Sequence, residues 1–457
     1  MQSFLKAAML ACTVLLAACF SESVEVSTQG KENGQRHVVL FILDTLRAEV
    51  MSSYSYPLET SPELDALAAE GVRFEYVVAP CSWTRPSVGA MLTGRYPRTL
   101  GLYDEAGEIL ADRFDTLPEL LRENGYATIG LTANPVVNSV FNMHQGFDTY
   151  IDSHVVFSWM GAGEGEITAR DRKLISAPDL FRRAEQLVDE VEGESIYLQF
   201  SLMEMHEYWR AQHHLIRDEF LDAFPQEENT RRRRYLQSLR QLSHDVDAFI
   251  ERLQQRPGWR DALFVIVSDH GEGLDSHPAV QKSDHHGRLL YASHVHVPWI
   301  LYSAELPVLA QTVARPVRLL DLTPTLLDLL GVASPAGLDG VSLAPLLNGD
   351  EVELPSYFVT ETHFRNYEKI AAYSSDWVYI DNRDPHNGVP RFELQALERA
   401  ANGAKTNALE THGQQVEQIR EYLAQWEAAH PRVPATTAEE ALSEDEREQM
   451  KSIGYLE

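Results

Sequence analysis

Residues 37–47 read HVVLFILDTLR. From Val38 to Leu43 the run is apolar without alternation, the pattern of a strand covered on both faces, as strands of a parallel sheet are. It stops abruptly at Asp44. Similar runs are SIYLQFSL (195–202), ALFVIVSDH (262–270) and VPWILYSA (297–304), with helical stretches between them. Strands alternating with helices predict an α/β sandwich, a central and mainly parallel sheet between helices. Helices are read at SPELDALAAEGVRF, with Ser61 as cap, Pro62 in the first turn and Gly71 as stop, and at TLPELLRENGY. The four arginines 231–234 open an amphipathic helix, because Tyr235, Leu239, Leu242, Val246 and Ile250 recur at helical spacing behind them. Beyond about residue 355, YFVTETHF and a helix striped by Val416, Ile419, Leu423 and Trp426 suggest a smaller α+β part. The last residues carry a capping box, Ser443 with Glu446, and a stop at Gly454.

The chain has 457 residues, 44% hydrophobic and 23% charged, enough for a large core and ordinary for a globular protein. Lysine and arginine number 39 against 68 acids, a net charge of −29 that disfavours nucleic acid as a partner. Three cysteines cannot form a disulfide framework. Residues 1–18 form an apolar segment after a single cation, Lys6, too short to remain as a spanning helix, and read as a signal peptide. Leu16-Ala17-Ala18-Cys19 resembles a bacterial lipobox, in which Cys19 is acylated and becomes the new N-terminus; ordinary cleavage with an incidental Cys19 is the alternative. The polar residues 19–36 then form a tether, placing the protein in the cell envelope, periplasmic or on the outer membrane, with the membrane as partner through its anchor. The expected division is a catalytic domain over 37–355 and a C-terminal subdomain with a helical tail over 356–457.

Ligand sites of open α/β sheets lie at the carboxyl ends of strands. Asp44 ends one run and Asp269-His270 another, and acids directly after buried strands are costly unless they bind a cation or cap a helix. A third segment, Thr84-Arg85-Pro86-Ser87, opens a short helix that runs to Gly94. A hydroxyl there sits in the field of the helix N-terminus, a place for a nucleophile or for a plain N-cap.

In order, VVLFILDTLR, TSPELDALAAEGVRF, PSVGAMLTGRYP, SDHGE, HGRLLYASHVHVPWILYS, DLTPTLLDLLG and DGVSLAPLLNG resemble the sulfatase family of the alkaline phosphatase superfamily over residues 37–385. The resemblance implies a metal at the sheet's carboxyl edge beside a covalent nucleophile. It makes Asp44, Asp269 and His270 metal ligands, His206 the leaving-group acid or ester-positioning histidine, and His286 the counterpart of a substrate-gripping lysine. Arg85 and Asn134 fall where substrate-binding groups stand. His286 also reads as one member of a histidine-rich surface loop, since His285 adjoins it.

Departures from the family pattern are informative. The cysteine that sulfatases oxidise to formylglycine is replaced by Thr84, Val88 replaces a supporting arginine, Thr45 a second metal aspartate, and Ala133-Asn134-Pro135 the Lys-x-His pair. Cys81 lies three residues too early for the downstream spacing. Two carboxylates, a neutral imidazole and a threonine oxygen suit one divalent ion, with Zn²⁺ or Mn²⁺ ahead of Ca²⁺. Phosphoethanolamine transferases and lipoteichoic acid synthases are similar in using a metal-bound threonine. The expectation is a metal-dependent hydrolase or transferase of phosphate or sulfate esters, phosphoryl chemistry favoured, acting on a small-molecule, glycan or lipid ester. A formylglycine enzyme in shifted register using Cys81, and a non-catalytic lipoprotein, are the competing expectations; oligomeric state is not legible.

Overall fold

The computed structural model describes residues 36–103, 108–152, 175–211, 216–274, 285–304, 311–384, 389–397 and 407–437. Cys19, the signal peptide, nearly all of the tether, and the Ser443–Gly454 motif lie outside the described residues.

The strands, in chain order, are β1 (Val38–Leu43), β2 (Val72–Val78), β3 (Glu108–Ile109), β4 (Tyr126–Thr132), β5 (Thr149–Ile151), β6 (Ser195–Leu202), β7 (Leu263–Val267), β8 (His296–Tyr302), β9 (Gln311–Val313) and β10 (Val317–Arg318). All but β3 join one sheet in the order β10-β2-β8-β7-β1-β6-β4-β5, with β9 also lying along β2. Only β8 runs against its neighbours, antiparallel to both β7 and β2. This is the expected sandwich. β1 sits at its centre, buried along its whole length between β6 and β7, which is why its sequence could dispense with alternation. One apolar cluster, including Leu40, Val265 and Trp299, fills one face of the sheet, and another, including Phe41, Phe200 and Phe249, fills the other.

The helix expected after Thr60 spans Pro62–Glu70, but the Ser61 hydroxyl does not cap it; its Oγ donates to Asp65 Oδ1 at 3.1 Å instead. Thr116 and Glu119 do form a capping box for Leu117–Glu123. The arginine run opens a helix over Thr230–Gln254 whose apolar stripe is buried and whose first N–H groups are capped by Asn229. A second, antiparallel sheet holds β11 (Phe358–Thr362), β12 (Lys369–Tyr373), β13 (Trp377–Asn382) and β14 (Phe392–Ala396), in that order. The helix Gly413–Ala429 packs Val416, Ile419, Leu423 and Trp426 against this sheet. Among the described residues no helix is long and apolar enough to cross a membrane.

Candidate active site

The parallel strands β7, β1, β6 and β4 lie side by side, so their carboxyl ends form a row. Out of that row come Asp269 and His270 after β7, Asp44 after β1, His206 shortly after β6, and Asn134 after β4. β2 runs the same way and leads through residues 79–83 into the helix Thr84–Thr93. The antiparallel β8 is entered from this edge, which brings in the preceding loop with His286 and Gly287. Gly287 N donates to Ser82 O at 2.7 Å and ties the two approaches together.

Asp44, Asp269 and His270 are buried, and their ligand atoms lie within 4.8 Å of one another. His270 Nδ1 is 2.8 Å from Gly271 O, which can only accept, so Nδ1 carries the proton and Nε2 presents its lone pair. That Nε2 lies 3.4 Å from Asp269 Oδ2 and 3.9 Å from Asp44 Oδ1. Both of those oxygens are buried without a hydrogen-bond partner. Burial, and then the neighbouring Asp269 charge, pushes the Asp44 carboxyl well above the usual carboxylate range. His270 is drawn down by burial and stays neutral. Two acceptors with unmatched lone pairs and a neutral imidazole nitrogen, converging among buried residues, fit a divalent cation. Thr84 Oγ1 joins them, 3.1 Å from His270 Nε2 and 3.3 Å from Asp44 Oδ2. It does not cap its own helix; Trp83 occupies that position and Thr84 is the first helical residue.

Surrounding groups hold this cluster in place. Thr45 adopts a left-handed φ of 62°, uncommon for a β-branched residue, and its N–H donates to Asp269 Oδ1 at 3.2 Å. Tyr235 OH donates to Thr45 O at 2.6 Å and locks that turn. Ser87 Oγ donates to Asp269 O at 2.6 Å, and Ser268 Oγ accepts from Leu46 N at 2.8 Å. At Gly271 a Cβ would stand 2.1 Å from Ser293 O, so no other residue fits beside His270.

The other expected residues divide into two groups. His206 and His286 reach the cluster: ring centroids are 5.1 Å apart for His270 and His286, and 5.0 Å apart for His286 and His206. Burial lowers His206, but the Glu207 hydrogen bond at 3.2 Å and the Asp44, Glu207 and Glu272 charges outweigh it and hold the imidazole up to about 9. Burial brings His286 down to about 3 although Glu272 Oε2 lies 3.1 Å from its Nδ1. Arg85 and Asn134 are held by contacts within the protein. The Arg85 guanidinium is fully buried, donating from Nε to Val136 O at 3.0 Å, with Cζ 3.5 Å from the Phe141 ring centroid. Asn134 Nδ2 donates to Asp44 Oδ2, while its Oδ1 accepts from Val136 N at 2.9 Å.

Sequence reasoning assigned no role to Glu272. Although buried, it is held well below the usual carboxylate range by His286, His285 and Arg231, against the cost of burial. As an acceptor it fixes His286 Nδ1 as the protonated nitrogen. A glutamate directly after Asp-His-Gly was the available signal. Cys81 turns elsewhere: its buried thiol is pushed up by burial and lies by Thr362 and Glu361 of β11.

A family model described as Sulfatase matches residues 36–332. Delta 4,5-hexuronate-2-O-sulfatase of Bacteroides thetaiotaomicron is 24% identical over 379 residues, which cover 72% of this chain and 75% of that protein. The solved structure of a 2-O GAG sulfatase superposes with a TM-score of 0.66 at 18% identity, covering 87% of this chain and 92% of that one. The phosphonate monoester hydrolase SpPMH of Silicibacter pomeroyi gives a TM-score of 0.64 at 16% identity, over 88% and 96% of the two chains.

Proposed function

Because the chain belongs to the sulfatase family and is an ester hydrolase of that kind, we propose that Thr84 is its nucleophile, beside a divalent cation held by Asp44, Asp269 and His270. The observation that carries this reading is the seat of Thr84 Oγ1 between Asp44 Oδ2 and His270 Nε2, at 3.3 and 3.1 Å. When bound, the cation supplies Lewis acidity, lowering the hydroxyl pKa and neutralising charge on the transferring group; Zn²⁺ or Mn²⁺ suits two carboxylates and one imidazole. Thr84 sits at the head of a ten-residue helix whose field favours an anionic ester. Its hydroxyl passes its proton to Asp44 Oδ2, to which it already donates at 3.3 Å, as the oxygen attacks the central atom. The ester oxygen, in line with the attack, departs with a proton from His206, the group held protonated. Burial keeps His286 neutral, and Glu272 orients the ring by accepting from its Nδ1. Water or a second alcohol then attacks the threonine ester, its proton restoring His206, and the released Thr84 oxygen takes its own proton back from Asp44.

This second step favours phosphorus. A formylglycine hydrate can expel bound sulfate by elimination, whereas a threonine ester must be opened at its central atom, feasible at phosphorus and hard at sulfur. We therefore favour phosphate or phosphonate esters over sulfate esters. The shifted-register alternative would need Cys81 oxidised in place, against β11 and away from the ligand cluster.

The test is Thr84→Ala in a metal-analysed preparation, assayed on p-nitrophenyl phosphate, sulfate and phenylphosphonate. Turnover falls by about three orders of magnitude or more, as for other deleted nucleophiles, and Cys81→Ala retains activity. An aldehyde at Cys81 by mass spectrometry, or a Thr84-dependent preference for sulfate, ends the model. We also propose that the chain is exported and lipid-anchored through Cys19. Cys19→Ser is expected to leave precursor uncleaved or protein in the soluble fraction; unchanged detergent partitioning rejects the anchor.

A further inference from the structure

Outside the ligand cluster, the row of rings leading away from it ends on an exposed indole. His270, His286 and His206 follow one another at centroid distances of 5.1 and 5.0 Å, and Trp209 continues the row 5.9 Å from His206. The three histidines are buried or nearly so, whereas Trp209 is 39% exposed, the one exposed large hydrophobic side chain among the described residues. Tyr208, itself buried, braces the indole edge-on at 5.3 Å and 88°. Arg231 Nε donates to the Tyr208 hydroxyl, so the brace is anchored to the long helix Thr230–Gln254. An indole supported in this way and left open to water beside the leaving-group histidine has a flat, electron-rich surface to offer.

We propose that Trp209 is the platform on which the ring of a sugar packs while its ester group lies at Thr84. The inference rests on the ester-hydrolase reading of the site and adds to it a residue that selects a ring-bearing alcohol. A pyranose presents a C–H face, electropositive and matched to the negative face of an indole, together with hydroxyls that need polar partners. The site has that division: one apolar plate, with histidines and acids around it. A lipid alcohol would need a contiguous apolar groove, and no second exposed large hydrophobic accompanies Trp209 among the described residues. The placement next to His206 selects the sugar ring that carries the ester, since His206 is the residue proposed above to protonate the departing oxygen.

The test compares wild type, Trp209→Ala and Trp209→Phe on monosaccharide 6-phosphates and 6-sulfates against ethyl phosphate and ethyl sulfate. The ratio of kcat/KM for sugar ester over ethyl ester falls about tenfold in Trp209→Ala, the scale of one aromatic contact, mainly through KM, and Trp209→Phe recovers part of it. A ratio unchanged in Trp209→Ala overturns the platform, and so does an equal fall on both ester types. Saturation-transfer NMR of the sugar esters on the same three proteins separates this from the chemistry. If wild type turns over no ester, the nucleophile reading fails. The platform is then upheld by ring C–H saturation that Trp209→Ala abolishes, and overturned if wild type gives no such signal.

Discussion

The carboxyl edge of the main sheet and the junction with the second sheet both bury charge, and they treat it in opposite ways. At the junction Arg98 donates from Nε to Glu361 Oε1 at 3.0 Å and from Nη2 to Glu361 Oε2 at 2.9 Å. Its Nη1 reaches His430 O at 3.0 Å, and its Nη2 also reaches Glu427 Oε1 at 3.3 Å. Opposite charges are matched atom for atom, and the arrangement is complete as it stands. At the carboxyl edge two aspartates of the same sign face one neutral imidazole, and Asp44 Oδ1 and Asp269 Oδ2 have no hydrogen-bond partner. Burial alone therefore does not mark a functional charge. What marks it is burial with the compensating partner left to come from outside.

The contrast can be broken from either side. The largest effect is expected at the edge: Asp269→Ala removes a ligand and a repulsive charge together, so the cation is lost and turnover falls by about three orders of magnitude or more. Stoichiometric metal retained in the variant, by plasma emission, contradicts the assignment. At the junction the signs reverse. Arg98→Ala strands the buried Glu361 carboxylate and is expected to cost about 3 kcal/mol in denaturant unfolding, while metal content per folded molecule stays at the wild-type value.

A smaller effect sharpens the same distinction through pH. Glu204 is buried near His206, its Oε1 accepts from Ala177 N, and its Oε2 has no hydrogen-bond partner. Burial raises it to about 7. The folded protein thus binds this proton more tightly than the unfolded chain does, so no penalty exists below the ordinary glutamate value, and stability is lost as pH climbs through about 7. Glu204→Gln removes the titration and should gain about 2 kcal/mol over wild type at pH 8 and little at pH 5. Equal gains at both values, measured by urea unfolding, would show that the carboxyl is not carrying this penalty.

How much of this was legible varies with the range of the interaction. β1, β6 and β7 declared themselves because strands covered on both faces need unbroken apolar runs, and Asp44 and Asp269-His270 stood out as acids at their ends. β2 and β4 did not. VRFEYVV carries charges at partly buried positions and does not form an unbroken apolar run, while YATIGLT has threonines and a glycine in a fully buried strand. The site's residue types were readable; their directions were not. Arg85 turns toward Val136 O, and Asn134 toward Asp44, because partners distant in sequence accept and hold them. The left-handed Thr45 and the Glu272 contact to His286 likewise depend on chain segments that meet only in the folded protein.

The central position of β1 also governs when this protein acquires its chemistry. Val38 pairs with Tyr197 on one side and Leu263 on the other, so the strand bearing Asp44 finds its neighbours only after most of the chain is available. Such non-local pairing is slow, since loop-closure entropy is lost before the contacts that reward it form. Asp269 and His270 arrive still later along the chain. A nascent chain consequently holds Thr84 before the residues that surround it in the folded site have been added. Maturation of the reactive centre coincides with completion of the sheet, so a folding intermediate is chemically silent however much helix it has already formed.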